Sequence, residues 1–174
     1  EIHSPYGYNH SVMNKPHILA PGGDVLSVKA ALLGGADEVY LGLERFNARR
    51  RAKNITIEDL EELALLAAER NAKLFVTLNI LFTQDELPDA VQTAADVCRL
   101  GASGVIVQDA GLFYQLRRQH PGIEIHLSTQ MTIHNSLAVD YWCTLRPERI
   151  NLARELPLEE ITRLTKRAGV HGAG

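Results

Sequence analysis

After Lys15 one pattern recurs six times and leaves the chain little freedom of fold: a short β-branched or apolar run, a polar turn, then an amphipathic stretch of helical period. The spacing predicts strands over residues 17–20, 38–43, 73–81, 104–108, 124–130 and 149–153. It predicts helices over 24–33, 57–70, 84–100, 111–119, 135–145 and 157–168. Strands that alternate strictly with helices are joined by βαβ crossovers, and crossovers build a parallel sheet. The class is α/β. Helix starts carry their own signals. Asp24 after Gly22-Gly23 is an expected N-cap, Thr56 with Asp59 and Thr83 with Glu86 are expected capping boxes, and Pro157 suits a first helical position. Gly34-Gly35 and Gly101 follow helices, where a left-handed residue is needed.

Two parallel architectures compete, an open doubly wound sheet and a (β/α) TIM-type barrel. An open dinucleotide-binding sheet carries G-x-G-x-x-G after its first strand. Here that turn reads Ala20-Pro21-Gly22-Gly23-Asp24, which lacks the pattern. Side-chain alternation favours the barrel. Phe75, Thr77 and Asn79 share one strand face, as do His126, Ser128 and Gln130, with Asn151 and Ala153 on the last strand. The opposite faces hold Leu74, Val76, Leu78 and Ile80, then Ile125 and Leu127, then Ile150 and Leu152. Period-two alternation places the aliphatic set under helices and the polar set inside. A closed barrel takes eight βα units and about 250 residues. The 174 residues here accommodate six units, so the expected domain is an incomplete barrel over 15–174, truncated at its C-terminal side.

Residues 1–14 are rich in His, Ser, Tyr, Asn and Gly and are expected to form a flexible arm rather than a secretory leader. Metal binding by His3 and His10 there would be adventitious. No run reaches the roughly 18 apolar residues of a membrane span. A formal net charge of −3 leaves no general basic footprint for nucleic acid. Cys98 and Cys143 are too few for a disulfide scaffold or a self-contained metal site, and fit a reducing compartment.

If the strands curl about one axis, residues at their C-terminal ends converge although distant in sequence. The substrate-binding candidates are Glu44, Asn47, Arg49, Asn79, Gln108, Asp109, Ser128, Gln130, Asn135, Arg154 and Glu155, with Asp24, Asn54 and Thr129 alongside. Amides and hydroxyls hold a polar ligand, arginines clamp a carboxylate or phosphate, and acids move protons. The same residue types also serve structure: Asp109 can cap the next helix, Asn79 and Gln130 can satisfy backbone, and Arg154 can pair with Glu155. Ser128 lacks a G-x-S-x-G elbow, and His126 and His134 lack an H-E-x-x-H helix, so neither a nucleophilic triad nor a zinc motif is expected. The catalytic residues stay unassigned. The basic run from Arg45 to Lys53 falls on the mouth side, where a phosphate-bearing or RNA ligand would meet it.

Several strings, in order, resemble the collagenase-like peptidases of unknown catalytic type, family U thirty-two. They begin with Leu19-Ala20-Pro21-Gly22-Gly23-Asp24, Lys29-Ala30-Ala31-Leu32 and Gly35-Ala36-Asp37-Glu38-Val39-Tyr40-Leu41-Gly42. Phe46-Asn47-Ala48-Arg49, Ala52-Lys53-Asn54, Thr77-Leu78-Asn79-Ile80 and Val105-Ile106-Val107-Gln108-Asp109 continue the series. His126-Leu127-Ser128-Thr129-Gln130-Met131, His134-Asn135-Ser136 and Leu152-Ala153-Arg154-Glu155-Leu156 complete it. The resemblance implies a TIM-type barrel portion of a cytoplasmic bacterial or archaeal enzyme under a peptidase or collagenase label. Other members of that family resemble hydroxylation enzymes for tRNA, rRNA or ubiquinone precursors, with an iron–sulfur cluster and prephenate-type donors. Their cluster cysteines begin just after a Val-His-Gly element that Val170-His171-Gly172 matches, so the implied cluster ligands fall outside this chain and no cofactor is expected within it. Three readings stay open: a hydrolase acting on a small-molecule or peptide substrate, an iron–sulfur-dependent hydroxylase with RNA as partner, and a non-catalytic binding or assembly fragment. Open sheet edges in the last would favour a homo-oligomer.

Overall fold

The computed structural model describes residues 16–48 and 55–170. Six strands alternate with six helices: β1 (Leu19–Gly22), α1 (Val25–Leu33), β2 (Glu38–Gly42), α2 (Ile57–Glu69), β3 (Lys73–Leu78) and α3 (Leu87–Arg99) form the first half. β4 (Gly104–Val107), α4 (Ala110–Gln119), β5 (Glu124–Leu127), α5 (Ser136–Thr144), β6 (Arg149–Ile150) and α6 (Leu158–Val170) form the second. A short 3₁₀ turn over Thr129–Met131 follows β5. Every ladder is parallel and joins strands consecutive in the chain, giving the order β1-β2-β3-β4-β5-β6.

The sheet is curled, and one contact demonstrates it. Four strand spacings separate β2 from β6, roughly 19 Å in a flat sheet. Yet Arg149 of β6 donates from Nη2 to Glu38 Oε1 of β2 at 2.8 Å, and from Nη1 to Oε2 of the same carboxylate. Only an arc folded toward itself brings those side chains together. The molecule is a half-barrel of TIM type.

Its helices form because each presents an apolar stripe to the convex face of the sheet. On α2 the buried residues are Leu60, Leu63, Ala64 and Ala67, the i, i+3, i+4, i+7 spacing of one helix face. They meet the outward set of the strands, which includes Leu74, Val76, Leu78, Val105, Val107, Ile125 and Leu127 in one continuous core. The division of strand faces follows the alternation read from the sequence. Capping also follows it at Asp24, which accepts from Ser27 N, and at Thr56 and Asp59, whose reciprocal box is complete.

Several boundaries differ from the sequence expectation. β1 runs two residues later, β3 stops at Leu78 where its partner β4 stops at Val107, and β5 stops at Leu127. There the Ser128 hydroxyl accepts from Gln130 N and turns the chain into the 3₁₀ segment. β6 spans only Arg149 and Ile150; the Asn151 N–H still makes a ladder bond to Leu127 O, which its side-chain amide also reaches. The helix expected from residue 84 begins at Leu87, with Pro88 in its first turn where no N–H is needed. The Glu86 carboxylate accepts from both N and Oγ1 of Thr83, so half of that expected box forms. Pro157 lies one residue ahead of α6 rather than inside it, its carbonyl accepting from Ile161 N. Gly34 is right-handed, and the left-handed positions fall to Gly35 and Gly101.

Candidate functional site

The concave face of the half-barrel has a charged floor at the strand N-terminal ends and a polar mouth at their C-terminal ends. Gly104 makes the floor possible. A Cβ there would stand 2.2 Å from Glu124 O, so the inner face of β4 carries no side chain at that level. Lys73 of β3 crosses that gap to Glu124 of β5 at 2.8 Å. Glu124 also accepts from His126 Nε2 at 2.9 Å, while Glu38 takes the Arg149 guanidinium and lies 3.4 Å from His17 Nδ1. Glu38 and His126 are each 1% exposed, whereas Lys73 reaches Glu124 from the exposed rim.

Burial and pairing set their ionisation. The Arg149 hydrogen bonds hold the Glu38 carboxyl below its ordinary range, against the opposing effect of burial. Burial pushes Glu124 upward, but the bonds from Lys73 and His126 outweigh it and leave its pKa lowered. Burial lowers His126, offset only in part by Glu124. The imidazole is therefore neutral, with Nε2–H donating to Glu124, and its buried Nδ1 has no partner among the described residues. The ring lies against Phe75 at 4.2 Å between centroids.

All three groups hold fewer protons when folded than when unfolded, so each contributes stability that disappears on acidification. For His126 the loss begins as pH falls below its ordinary value of 6.5, and for Glu38 and Glu124 below 4.5. Melting temperature plotted against pH should fall in two stages. His126→Gln should remove the upper stage alone; a single stage in the wild-type protein would disprove the assignment.

Above the floor lies a cavity of about 380 Å³. Of the sequence-derived site residues, the structure brings together Asn47, Asn79, Ser128, Gln130 and Arg154, with Thr129 beside them. Asn79 Oδ1 accepts from Ala48 N at 3.3 Å, which folds the loop after β2 over the mouth. Asn47 packs so closely over Gly42 that a Cβ on that glycine would stand 1.9 Å from its Nδ2. Arg49 and Asn54 lie outside the described residues.

The other candidates do not line the cavity. Asp109 caps α4, accepting from Leu112 N at 2.8 Å, and also accepts from Phe82 N at 3.3 Å. Asn135 caps α5, accepting from Ala138 N at 3.0 Å, and Asp24 caps α1. Gln108 lies past the end of β4, while Glu44 and Glu155 are exposed. Tyr40, Thr77 and Asn151 join the lining instead. Thr77 and Asn151 stand on faces that the alternation places inside. Tyr40 shares a face with Gly42 opposite Phe75 and Thr77, so the register identifies it.

Arg154 is the one charged side chain among the described lining residues; the others supply amides, hydroxyls, backbone and apolar surface. This set can orient a polar or anionic molecule. No imidazole is among the described lining residues, and the Ser128 hydroxyl accepts from Gln130 N.

Residues 23–173 match peptidase family U32. The chain belongs to peptidase family U32. This U32 chain is 34% identical to the tRNA hydroxylation protein P1 of Bacillus subtilis over 171 residues, covering 93% of the chain and 40% of that relative. It is 37% identical to the 23S rRNA 5-hydroxycytidine C2501 synthase of Escherichia coli, covering 90% of the chain and 24% of the relative. To a collagenase of Porphyromonas gingivalis it is 35% identical, covering 86% and 36%. The chain thus spans two fifths or less of the length of these relatives. The solved U32 peptidase Mk0906 shares the fold, with a TM-score of 0.69 at 13% identity over 91% of this chain and 69% of that one. No helix among the described residues is long and apolar enough to cross a membrane.

The family resemblance also implies an iron–sulfur cluster, and the residues of this U32 chain do not fit one. Cys98 on α3 and Cys143 on α5 pack against or within the core beneath the helices, and neither lines the cavity. Burial pushes the Cys98 thiol up to about 11 and raises Cys143, the opposite of a metal-binding thiolate. No group of three metal-binding side chains occurs among the described residues.

Proposed function

We propose that the chain forms the ligand-binding half-barrel of a cytoplasmic U32 enzyme that hydroxylates a nucleoside of tRNA or rRNA. In this reading the cavity seats a small polar anion needed for that reaction. One observation carries it: the described lining places a single guanidinium among amides and hydroxyls, without a carboxylate, imidazole or thiol. Such a set binds and orients an anion through charge-assisted hydrogen bonds. The names of the B. subtilis and E. coli relatives supply the RNA.

Deleting the gene that encodes this chain from its host should remove a hydroxylated nucleoside from tRNA or rRNA hydrolysates analysed by mass spectrometry. The wild-type gene should restore it, and an Arg154→Ala copy should restore about a tenth or less, the loss expected when one charge-assisted contact is removed. An unchanged nucleoside profile in the deletion strain would overturn the proposal.

A second reading, peptide hydrolysis, is favoured by the identity to the collagenase. There Arg154 would receive a terminal carboxylate of the peptide. Cleavage of gelatin by purified protein, lost in Arg154→Ala, would select this reading over the first.

A further inference from the structure

Four non-glycine residues among those described have left-handed backbone: Phe46 (φ 67°), Asn71 (φ 54°), Thr132 (φ 53°) and Arg146 (φ 56°). Two are ordinary. Asn71 and Arg146 each stand one residue past a helix C-cap, Arg70 and Leu145, where chains commonly turn left-handed. The other two are costly, because a bulky or β-branched side chain crowds the backbone in this region. Both adjoin the mouth. Phe46 precedes Asn47 and Ala48, and Thr132 comes two residues after Gln130.

The surroundings of Thr132 enforce its conformation. Its N–H donates to Thr129 O at 3.1 Å and closes the 3₁₀ turn that carries Thr129 and Gln130. Its carbonyl accepts from His134 Nδ1 at 2.5 Å. The next residue, Ile133, is sealed in the core, and its carbonyl accepts from Ala153 N at 3.0 Å. Ala153 immediately precedes Arg154. The torsions of Thr132 therefore relate two rigid attachments, the turn bearing Gln130 and the strap that holds the base of Arg154.

We propose that Thr132 is a positioning residue: its left-handed backbone sets Gln130 and Arg154 at the separation a ligand must span. The proposal rests on the reading of the mouth as an anion-binding site. It assigns the cost of the turn to the relation between these two groups, since the Thr132 side chain itself is exposed and lines no part of the cavity.

A substitution series separates backbone conformation from side-chain chemistry. Thr132→Gly and Thr132→Asn accommodate the left-handed region, Thr132→Val keeps the branched shape while removing the hydroxyl, and Thr132→Pro excludes it. Two readouts apply, amide exchange at Ala153 by NMR and binding of malonate as a small dianionic probe. Glycine and asparagine should stay within about threefold of wild type in both, whereas proline should accelerate exchange and weaken malonate at least about tenfold. Valine should match wild type, because the backbone rather than the hydroxyl matters; if the proline variant does not fold, one glycine inserted after Thr132 lengthens the link between the two attachments and should weaken malonate by the same factor.

The proposal is overturned if proline, or the glycine insertion used in its place, matches wild type, or if glycine and asparagine are equally damaging. Failure of the wild-type protein to bind malonate while Ala153 exchange follows the series would overturn the anion-site reading and leave the positioning role standing.

Discussion

Arg149→Met should destabilise the fold by about 3–5 kcal/mol, because it leaves the Glu38 carboxylate buried without its cation. Glu38 is almost wholly enclosed, and its two strongest partners are the guanidinium nitrogens of Arg149. Methionine preserves most of the aliphatic length, so the loss measures charge rather than volume. Urea denaturation should show a lower midpoint with an unchanged slope. Adding Glu38→Gln should recover much of the loss, since the orphaned charge then disappears. A cost below about 1 kcal/mol, the range of an exposed surface pair, would show that this contact does not hold the arc.

Phe75→Ala should cost about 3–5 kcal/mol through lost transfer energy and the space left behind. Phe75 is fully buried on the concave face, between Tyr40 and Gly104 in the strand register, with its ring on His126. Its removal also opens the imidazole toward the mouth. Burial is the largest influence lowering His126, so its NMR titration should move upward in the variant. Phe75→Leu should retain most of the stability. If the alanine variant is destabilised while His126 titrates unchanged, Phe75 fills the barrel without shielding the floor.

The architecture is legible in the sequence because its determinants are local and periodic. The outward faces of β3 and β5 are aliphatic at every second residue, and that alternation alone places Thr77 and Ser128 inside. Asn79 and Gln130 follow by the same rule, although both lie beyond the hydrogen-bonded strands. Asp109 and Asn135 show where such reasoning loses resolution. A residue just past a strand can face the mouth or cap the next helix, and both tasks select the same short polar side chains. The floor is less visible still. Glu38 and Arg149 are 111 residues apart, and no periodicity links them. Tyr40 is hidden within an apolar run until the register sets it beside Phe75 and Gly42. The charge lining of the mouth likewise depends on which candidates converge, which only the curvature decides.

The strand order has a consequence for how the chain assembles. Each ladder joins neighbours in sequence, so the sheet can grow by short loop closures, one βα unit at a time, as the polypeptide emerges from the ribosome. Of the floor contacts described, Glu38–Arg149 requires the longest closure, and its entropic cost falls only once the intervening strands are in place. This topology predicts a sheet that grows first and bends last. Arg149→Met should accordingly accelerate unfolding far more than it slows folding.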